Sequence, residues 1–368
     1  MHVVECLSHS TLGGGQSVIL TLVRHLRRLH PELECTIMLP AGGVFVERFK
    51  SLGVNILERP LDQISLSSMR EMKRTISRLA PDVIHSHGKG AGLYARMFST
   101  PRAGMRRLHS YHGFHPPRSP LASVLYRMSE EFFLHRTDTI ISVSESEATE
   151  IRRTFPRSAA KVRVIPNTVD ADDLRSRCAG PLPSTLERFL DERKKSFIVA
   201  MVARNDAVKN YPLALQAAEI VLAASSNVSF VFVGIDSSLA DYARLHQLHP
   251  HETLALDRLD DTTPLLHRCN ALMLTSKKEG SPLVVQEAFS FGKPVVATDV
   301  EGIRDVVKHN GDGLLCTDAD GIAAAIRTLA SDLETYARLS RGASEAASRM
   351  NATDWAERYY HIYAHSRR

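Results

Sequence analysis

Short apolar runs alternate with helix-length patterns along the whole chain, and this alternation restricts the fold more than any other feature. In the first half the runs are Val3–Ser8, Glu34–Leu39, Val54–Leu57, Val83–His85, Arg107–Tyr111, Thr139–Val143 and Val162–Ile165. Helical patterns such as Ser17–Leu29 and Ser67–Leu79 separate most of them. In the second half the runs are Phe197–Val202, Val228–Val233, Thr253–Leu256, Ala271–Thr275, Pro294–Thr298 and Gly313–Cys316, again with helices between. Strands joined through helices need crossover connections, and these give parallel sheets covered on both faces. Two such series in tandem predict an α/β protein of two doubly wound domains. A length of 368 residues exceeds what one ordinary core fills and agrees with that division. Pro166 and Asn167 form a turn signal after a strand, and the polar stretch 170–195 with Pro181 and Pro183 reads as a connection. The domains are therefore expected at residues 1–168 and 169–352. Open sheets of this kind take ligands at the carboxyl ends of their strands, so a ligand is expected in a cleft between the two.

Composition excludes several classes. The five cysteines, Cys6, Cys35, Cys178, Cys269 and Cys316, are scattered without a Cys-x-x-Cys pair, which suggests buried free thiols in a reducing cytosol. The start, Met1 to Ser8, has neither a basic stretch nor an apolar core of a leader, and no run is long enough to span a membrane. Residues 1–168 carry 23 Lys and Arg against 14 Asp and Glu, whereas residues 169–368 carry 23 against 27. A basic first half suits an anionic partner such as a membrane surface or a phosphorylated acceptor. Arg70, Lys73, Arg74 and Arg78 share one face of an expected helix, with Met69, Met72, Ile76 and Leu79 on another. No nucleic-acid-recognition motif is present, and aromatic residues are only 6% of the chain, so nucleic acid is not an expected partner.

The spacing that points to chemistry is Glu279, seven residues, then Glu287, within the segment Ser276–Thr298. Glu279 closes a loop after an apolar strand, and Glu287 falls about one turn into the next helix. The first can accept from sugar hydroxyls and the second from a ribose, while the helix start between them offers free amides to a diphosphate. Arg204 and Lys209 follow another strand directly; a guanidinium forks across diphosphate oxygens and a lysine adds a point charge where a leaving group gains charge. Gly13, Gly14 and Gly15 follow the first strand and precede a helix; glycines allow positive φ and close approach to a phosphate. His112 and Gly113 end a strand, where an imidazole can meet a sugar near its reacting carbon. His85 and His87 flank Ser86, but two histidines without a third ligand make no metal site. Ser144 and Glu147 have capping-box spacing. No nucleophile-elbow motif supports a hydrolase.

These pieces recur in one order in a known family. Leu12-Gly13-Gly14-Gly15, Tyr111-His112-Gly113, Ile165-Pro166-Asn167-Thr168-Val169-Asp170, Arg204 with Lys209-Asn210, and the Glu279–Thr298 block make the chain resemble glycosyltransferase family 4, retaining enzymes of the GT-B fold. The resemblance implies two Rossmann-like domains facing across a cleft, and a C-terminal helix, residues 353–368, that crosses back to the N-terminal, acceptor-binding domain. It implies that Arg204 and Lys209 hold the donor diphosphate, Glu279 the donor sugar and Glu287 the ribose. Gly14, Gly15 and the segment Gly280, Ser281, Pro282, Leu283 and Val284 would meet phosphate or sugar, His112 would assist at the sugar, and Arg258 would frame the base. It further implies front-face attack with no side-chain nucleophile, no metal and no cofactor beyond a nucleoside diphosphate-sugar co-substrate, UDP ahead of GDP. The implied acceptor is a lipid-linked or polysaccharide intermediate of envelope or lipopolysaccharide synthesis, at the cytoplasmic membrane face. Two other readings share the fold: a nucleotide-sugar 2-epimerase and a non-catalytic sugar-nucleotide binder. The chain departs from the family at Gln16, where Glu is common, at Thr168, where Gly is common, and at Glu301-Gly302-Ile303, where a Gly-Gly pair is usual. The first bears on acceptor or sugar contacts and the others on loop shape.

Overall fold

The computed structural model describes residues 1–61, 65–98, 104–114, 117, 119–224, 227–236 and 238–365. The chain forms two compact units, residues 1–168 with 351–368, and residues 169–350.

The first unit is built on seven parallel strands: β1 (His2–Leu7), β2 (Glu34–Leu39), β3 (Asn55–Glu58), β4 (Val83–His87), β5 (Arg106–Ser110), β6 (Thr139–Ser142) and β7 (Val162–Val164). Their order in the sheet is β3-β2-β1-β4-β5-β6-β7. The crossovers are α1 (Gly14–Leu29), α2 (Val44–Lys50), α3 (Leu66–Leu79), α4 (Gly88–Phe98), α5 (Pro120–His135) and α6 (Glu145–Thr154). Alternation along each strand sorts side chains between the two faces. Val4, Cys6 and Ile84 pack against Met72 and Ile76 of α3 and Tyr94 of α4. Glu5 faces the other way, and the β1–β4 register sets it opposite His85. Ser65 caps α3 by accepting from the Ser68 amide at 3.1 Å, which starts that helix one residue earlier than its periodicity predicts.

The second unit has six parallel strands: β8 (Phe197–Val202), β9 (Val228–Val233), β10 (Thr253–Leu256), β11 (Ala271–Leu274), β12 (Val295–Thr298) and β13 (Gly313–Cys316), in the order β10-β9-β8-β11-β12-β13. Its helices are α7 (Ala171–Arg177), α8 (Ser184–Glu192), α9 (Tyr211–Ala224), α10 (Ala240–Leu248), α11 (Thr263–Arg268), α12 (Leu283–Phe289), α13 (Ala319–Ser331) and α14 (Leu333–Ser348). One face of the sheet, with Phe230, Phe232 and Met273, packs on α9 and α13. The other, with Ala200, Val231 and Leu272, packs on α8, α11 and α12. All thirteen strands expected from the apolar runs form, with ends moved by no more than two residues.

The last helix, α15 (Ala352–His365), belongs to the first unit, while residues 366–368 of the expected helix lie outside the described residues. Polar contacts fix it there. Thr353 Oγ1 accepts from Arg28 at 2.8 Å, Glu357 meets His30 at 2.9 Å, and Tyr360 stacks on His30 at 3.4 Å between ring centroids. Tyr363 donates to Glu5 Oε1 at 2.6 Å and lies 2.8 Å from His85 Nδ1, fully enclosed. Among the described residues no helix is long and apolar enough to cross a membrane.

Tyr363→Phe leaves the Glu5 carboxylate one donor short in an enclosed site. We expect a loss of about 1–3 kcal/mol in chemical denaturation of the full chain. Burial holds the His87 imidazole down to about 4, with His85 acting the same way, so folded His87 is neutral at pH 7. The unfolded imidazole takes up its proton near the ordinary value of 6.5, so this contribution to stability is lost as pH falls from about 6.5 towards 4. His109 and His112 are lowered by burial in the same direction. Denaturation midpoints followed by a probe in the first unit should fall across that window.

Candidate functional site

In the second unit the ends of β8 and β11 bring Lys209 and Glu279 together. Lys209 Nζ donates to Glu279 Oε1 at 2.6 Å, and Ser276 Oγ donates to the same oxygen at 2.5 Å. Both donors land on Oε1, which leaves Oε2 without a hydrogen bond among the described residues. The loops carrying the pair are themselves tied. Thr275 Oγ1 donates to the Lys209 and Asn210 carbonyls at 3.0 and 3.2 Å, and the Lys277 amide donates to the Val208 carbonyl at 2.8 Å. Asp206 Oδ1 accepts from the Val208 and Lys209 amides at 3.1 and 3.2 Å and closes the turn before Lys209.

A glycine makes the loop of Glu279 possible. Gly302 has φ +80°, and a Cβ there would lie 2.1 Å from the Glu279 carbonyl oxygen. The Glu279 amide donates to the Glu301 carbonyl at 3.3 Å, so the two loops lie edge to edge. The unusual Glu301-Gly302-Ile303 sequence thus keeps glycine where the backbone demands it. Gly234 does the same at the end of β9: its φ is +96°, and a Cβ would fall 1.9 Å from the Ala203 carbonyl oxygen, just before Arg204. The sequence reading passed over Gly234, Ser276 and Thr275. A glycine ending a strand was the available signal for the first, whereas the hydroxyl contacts depend on which strands are neighbours.

Glu287 lies in the second turn of α12, after Gly280, Ser281, Pro282, Leu283 and Val284 have led the chain from Glu279 into that helix. Burial pushes the Glu287 carboxyl up to about 7; Arg177 pulls it down and Asp261 adds to the rise. Arg177 itself donates to Asp261 at 2.6 Å and to Asp173 at 3.0 Å. Its charge is therefore shared among three carboxyl groups. The other two cations of the expected set point elsewhere. Arg204 is 77% exposed and lies 3.6 Å from Asp206, and Arg258 is exposed and lies 3.3 Å from Asp260. Neither side chain reaches Lys209 or Glu279 in this structure.

In the first unit the glycines run straight into a helix. Gly13 is extended, with φ 179°, and α1 begins at Gly14, so none of Gly13, Gly14 and Gly15 adopts positive φ. No side chain caps this helix, and its first amides, including those of Gly14 and Gly15, remain at an open helix start. Gln16 turns back to donate to the His9 carbonyl at 3.0 Å, which makes it a brace for the loop preceding the glycines.

His112 has φ +52° and takes its place in a chain of buried polar groups. Its Nε2 lies 2.9 Å from His87 Nδ1, and His87 Nε2 lies 2.7 Å from Glu5 Oε2. His85 Nδ1 is 3.2 Å from that same oxygen, and His85 Nε2 meets Ser110 Oγ at 2.9 Å. The pair of histidines therefore does have a third companion, correcting the sequence reading: Glu5, His85 and His87 present ligand-type atoms within 4.8 Å of one another. Each of those ring nitrogens already has a hydrogen-bond partner within the chain of groups. Burial alone would raise the Glu5 carboxyl, but its interactions and hydrogen bonds with His85 and His87 hold it well below the usual carboxylate range. Ionised Glu5 accepts from His87 Nε2, so the neutral His87 ring accepts at Nδ1 and His112 donates from Nε2. Glu147 also exceeds its expected capping role. Ser144 caps its amide at 3.2 Å, but the carboxylate accepts from Gly113, Val143 and Ser142 at 2.7, 2.9 and 2.9 Å, pinning the turn that carries His112.

Two family profiles match this chain, Glycosyltransferase Family 4 over residues 12–173 and Glycosyl transferases group 1 over residues 184–346. The chain belongs to the group 1/family 4 glycosyltransferases. Its two parallel sheets are those of the GT-B fold. Among relatives of this glycosyltransferase, the UDP-Gal:alpha-D-GlcNAc-diphosphoundecaprenol alpha-1,3-galactosyltransferase of Escherichia coli is 25% identical over 284 residues, covering 73% of each chain. The N,N'-diacetylbacillosaminyl-diphospho-undecaprenol alpha-1,3-N-acetylgalactosaminyltransferase of Campylobacter jejuni is 29% identical over 171 residues, 46% of this chain and 45% of that one. The crystal structure of HepE from Anabaena, in complex with UDP and glucose, superposes with a TM-score of 0.78 at 19% identity, covering 98% of this chain and 99% of that one.

Two consequences are measurable in this glycosyltransferase. Gly302→Ala forces the Glu279 loop to move and should cost about 2–4 kcal/mol in chemical denaturation, through the clash and the positive φ together. Glu287 has a folded pKa raised from 4.5 to about 7, so its contribution to stability is present below 4.5 and lost as pH rises through 7. Glu287→Gln should therefore gain stability relative to the native chain between about pH 5 and about pH 8, read as a widening difference in denaturation midpoint.

Proposed function

We propose that this chain is a retaining glycosyltransferase that moves a sugar from a nucleoside diphosphate donor, UDP first among them, to a lipid-linked acceptor in envelope glycan synthesis. The observation that carries the donor half is the Lys209–Glu279 pair at the ends of β8 and β11, with Glu287 a short distance along the chain in α12. The relatives named for transfer to diphosphoundecaprenol-linked sugars support the acceptor class, and the UDP complexes of HepE support the donor. Both matched profiles are those of transferases, which favours transfer over epimerisation or simple binding.

In this reading Glu279 Oε2 accepts from a donor-sugar hydroxyl while Lys209 and Ser276 hold its other oxygen still. Lys209 also lies beside the developing charge of the diphosphate. Arg204 swings from its exposed position beside Asp206 to share that charge, and Arg258 turns from Asp260 to frame the base. The amides of Gly280 to Val284, and those of Gly14 and Gly15, meet phosphate or sugar. Glu287 accepts from the ribose. His112, fixed by His87 and Glu147, meets the donor sugar. The bond from the anomeric carbon to the diphosphate breaks, and the acceptor oxygen forms its bond on the same face. The acceptor proton passes to the departing phosphate oxygen, so no side-chain nucleophile is needed. Cations and amides carry the leaving-group charge without a metal, on the cytoplasmic side of the membrane.

Glu279→Gln and Lys209→Ala should each reduce kcat by more than about tenfold, a loss of over about 1.4 kcal/mol of transition-state stabilisation. Transfer from UDP-sugars to a polyprenol-diphosphate sugar is the assay, and native rates in both variants would refute this donor site. Turnover should persist in EDTA; a loss restored by magnesium would overturn metal independence. Ribose binding favours ionised Glu287, so UDP affinity should strengthen as pH rises towards 7 and level off above it. Isothermal titration of Glu287→Gln should show a flat profile.

A further inference from the structure

Helix α5 exposes far more apolar surface than a helix facing water ordinarily does. Two of its residues are buried: Leu134 joins an apolar cluster, and Glu130 receives Arg96 Nη1 at 2.5 Å and the Tyr111 hydroxyl at 2.6 Å. Its outward face is apolar. Leu121, Val124, Leu125, Met128 and Phe132 are 71, 55, 59, 67 and 53% exposed. At about 100° per residue these five positions fall within an arc of about 100°, a single stripe about three turns long. The hydrophobic effect disfavours such a stripe in water, and a contiguous apolar patch on this scale marks an interaction surface.

The surroundings of the stripe select its partner. α4 packs between α3 and α5, so the three helices form one layer on the same side of the sheet. Met97 of α4 extends the apolar surface at 40% exposure. Cations border it. The Arg136 guanidinium lies over the Phe132 ring and Lys89 over the Tyr126 ring, at 5.2 and 5.1 Å from the centroids, and Arg127 is exposed on the helix itself. The one carboxylate beside the stripe on α5, Glu131, is 3.9 Å from Arg157. On α3, Arg70, Arg74 and Arg78 follow one another at helical spacing and line a hollow of about 470 Å³ with Arg59 and Glu71, whose carboxylate lies 3.2 Å from Arg59 Nε. Arginines four apart repel along a helix, and an anion lodged among them relieves that cost.

We propose that the α3–α4–α5 layer is the docking surface of this chain for an anionic lipid bilayer, with the α5 stripe sunk among the acyl chains and the α3 arginines against the headgroups. An apolar helix face bordered by cations has the chemistry of an interfacial helix. A second protein would match the stripe or the arginines, but a phospholipid surface matches both at the depths their chemistry requires. The biological purpose rests on the lipid-linked acceptor proposed above. Vesicle binding involves no transfer step, so the two proposals fail separately.

The test is co-sedimentation of the full chain with phosphatidylcholine vesicles and with mixed phosphatidylglycerol–phosphatidylcholine vesicles, at low and high salt. The native protein should bind the anionic vesicles more tightly, and salt should weaken that binding. The pair Leu125→Glu with Met128→Glu should lose at least about tenfold in vesicle affinity at any salt, because the apolar contribution is gone. The pair Arg70→Gln with Arg74→Gln should lose several-fold at low salt and little at high salt. All four positions are exposed, and the UDP-induced thermal shift of both variants should equal that of the native chain. Absence of native binding to anionic vesicles, or equal binding by the Leu125→Glu, Met128→Glu variant, overturns the proposal. So does a native dimer in light scattering that this variant dissolves, which would give the stripe to a second copy.

Discussion

The first unit is organised around one buried negative charge. Glu5 lies in the middle of a central strand, where an unpaired carboxylate would be strongly unfavourable. Three donors make it tolerable: His87 and His85 from the next strand and Tyr363 from the last helix. The demand for those donors fixes much else. It sets the register in which β1 faces β4, holds both histidine rings, and requires the final helix to lie over that part of the sheet. His112 inherits its orientation from the same chain of groups, one step further out. A polar residue in a strand centre thus acts as an assembly key, because it is costly in every arrangement that lacks its partners.

The second unit reaches a similar end by different means. Its candidate site depends on close backbone approach: Gly234 and Gly302 allow neighbouring strand-end loops to touch, and Thr275 ties two of them with its hydroxyl. Lys209 and Glu279 meet because those loops meet. A site held by backbone geometry can present charge without enclosing it. Glu279 has one oxygen occupied by the protein and the other unclaimed among the described residues, while Arg204 remains exposed, 3.6 Å from Asp206.

Much of this was legible in the residues. Strand alternation gave the two sheets, because parallel strands buried on both faces read as apolar runs whatever their partners. The Glu279–Glu287 spacing survived as a loop followed by a helix. The failures share one cause. Glu5, Glu147 and Tyr363 act through contacts between strands and helices far apart in the chain, and sequence shows a residue without showing its neighbours. Glu5 reads as a stray polar residue in an apolar run, and Glu147 as a helix cap. The three glycines permit positive φ without requiring it, and here the chain simply enters a helix. α5 was invisible because its composition is ordinary. Its exposed apolar stripe appears only once Glu130 and Leu134 are known to face inward.

The final helix has a consequence for how the molecule is made. Residues 351–368 complete the first unit, yet they are synthesised after the whole of the second. Until they emerge, Glu5 lacks a donor and the sheet face beneath α15 is bare, with Tyr359 and Tyr363 still to be supplied. The second unit is continuous in sequence and can close on the ribosome as it emerges. The first, although begun earlier, must wait in an unfinished state. The unit begun first is therefore the one whose last element is made at the end.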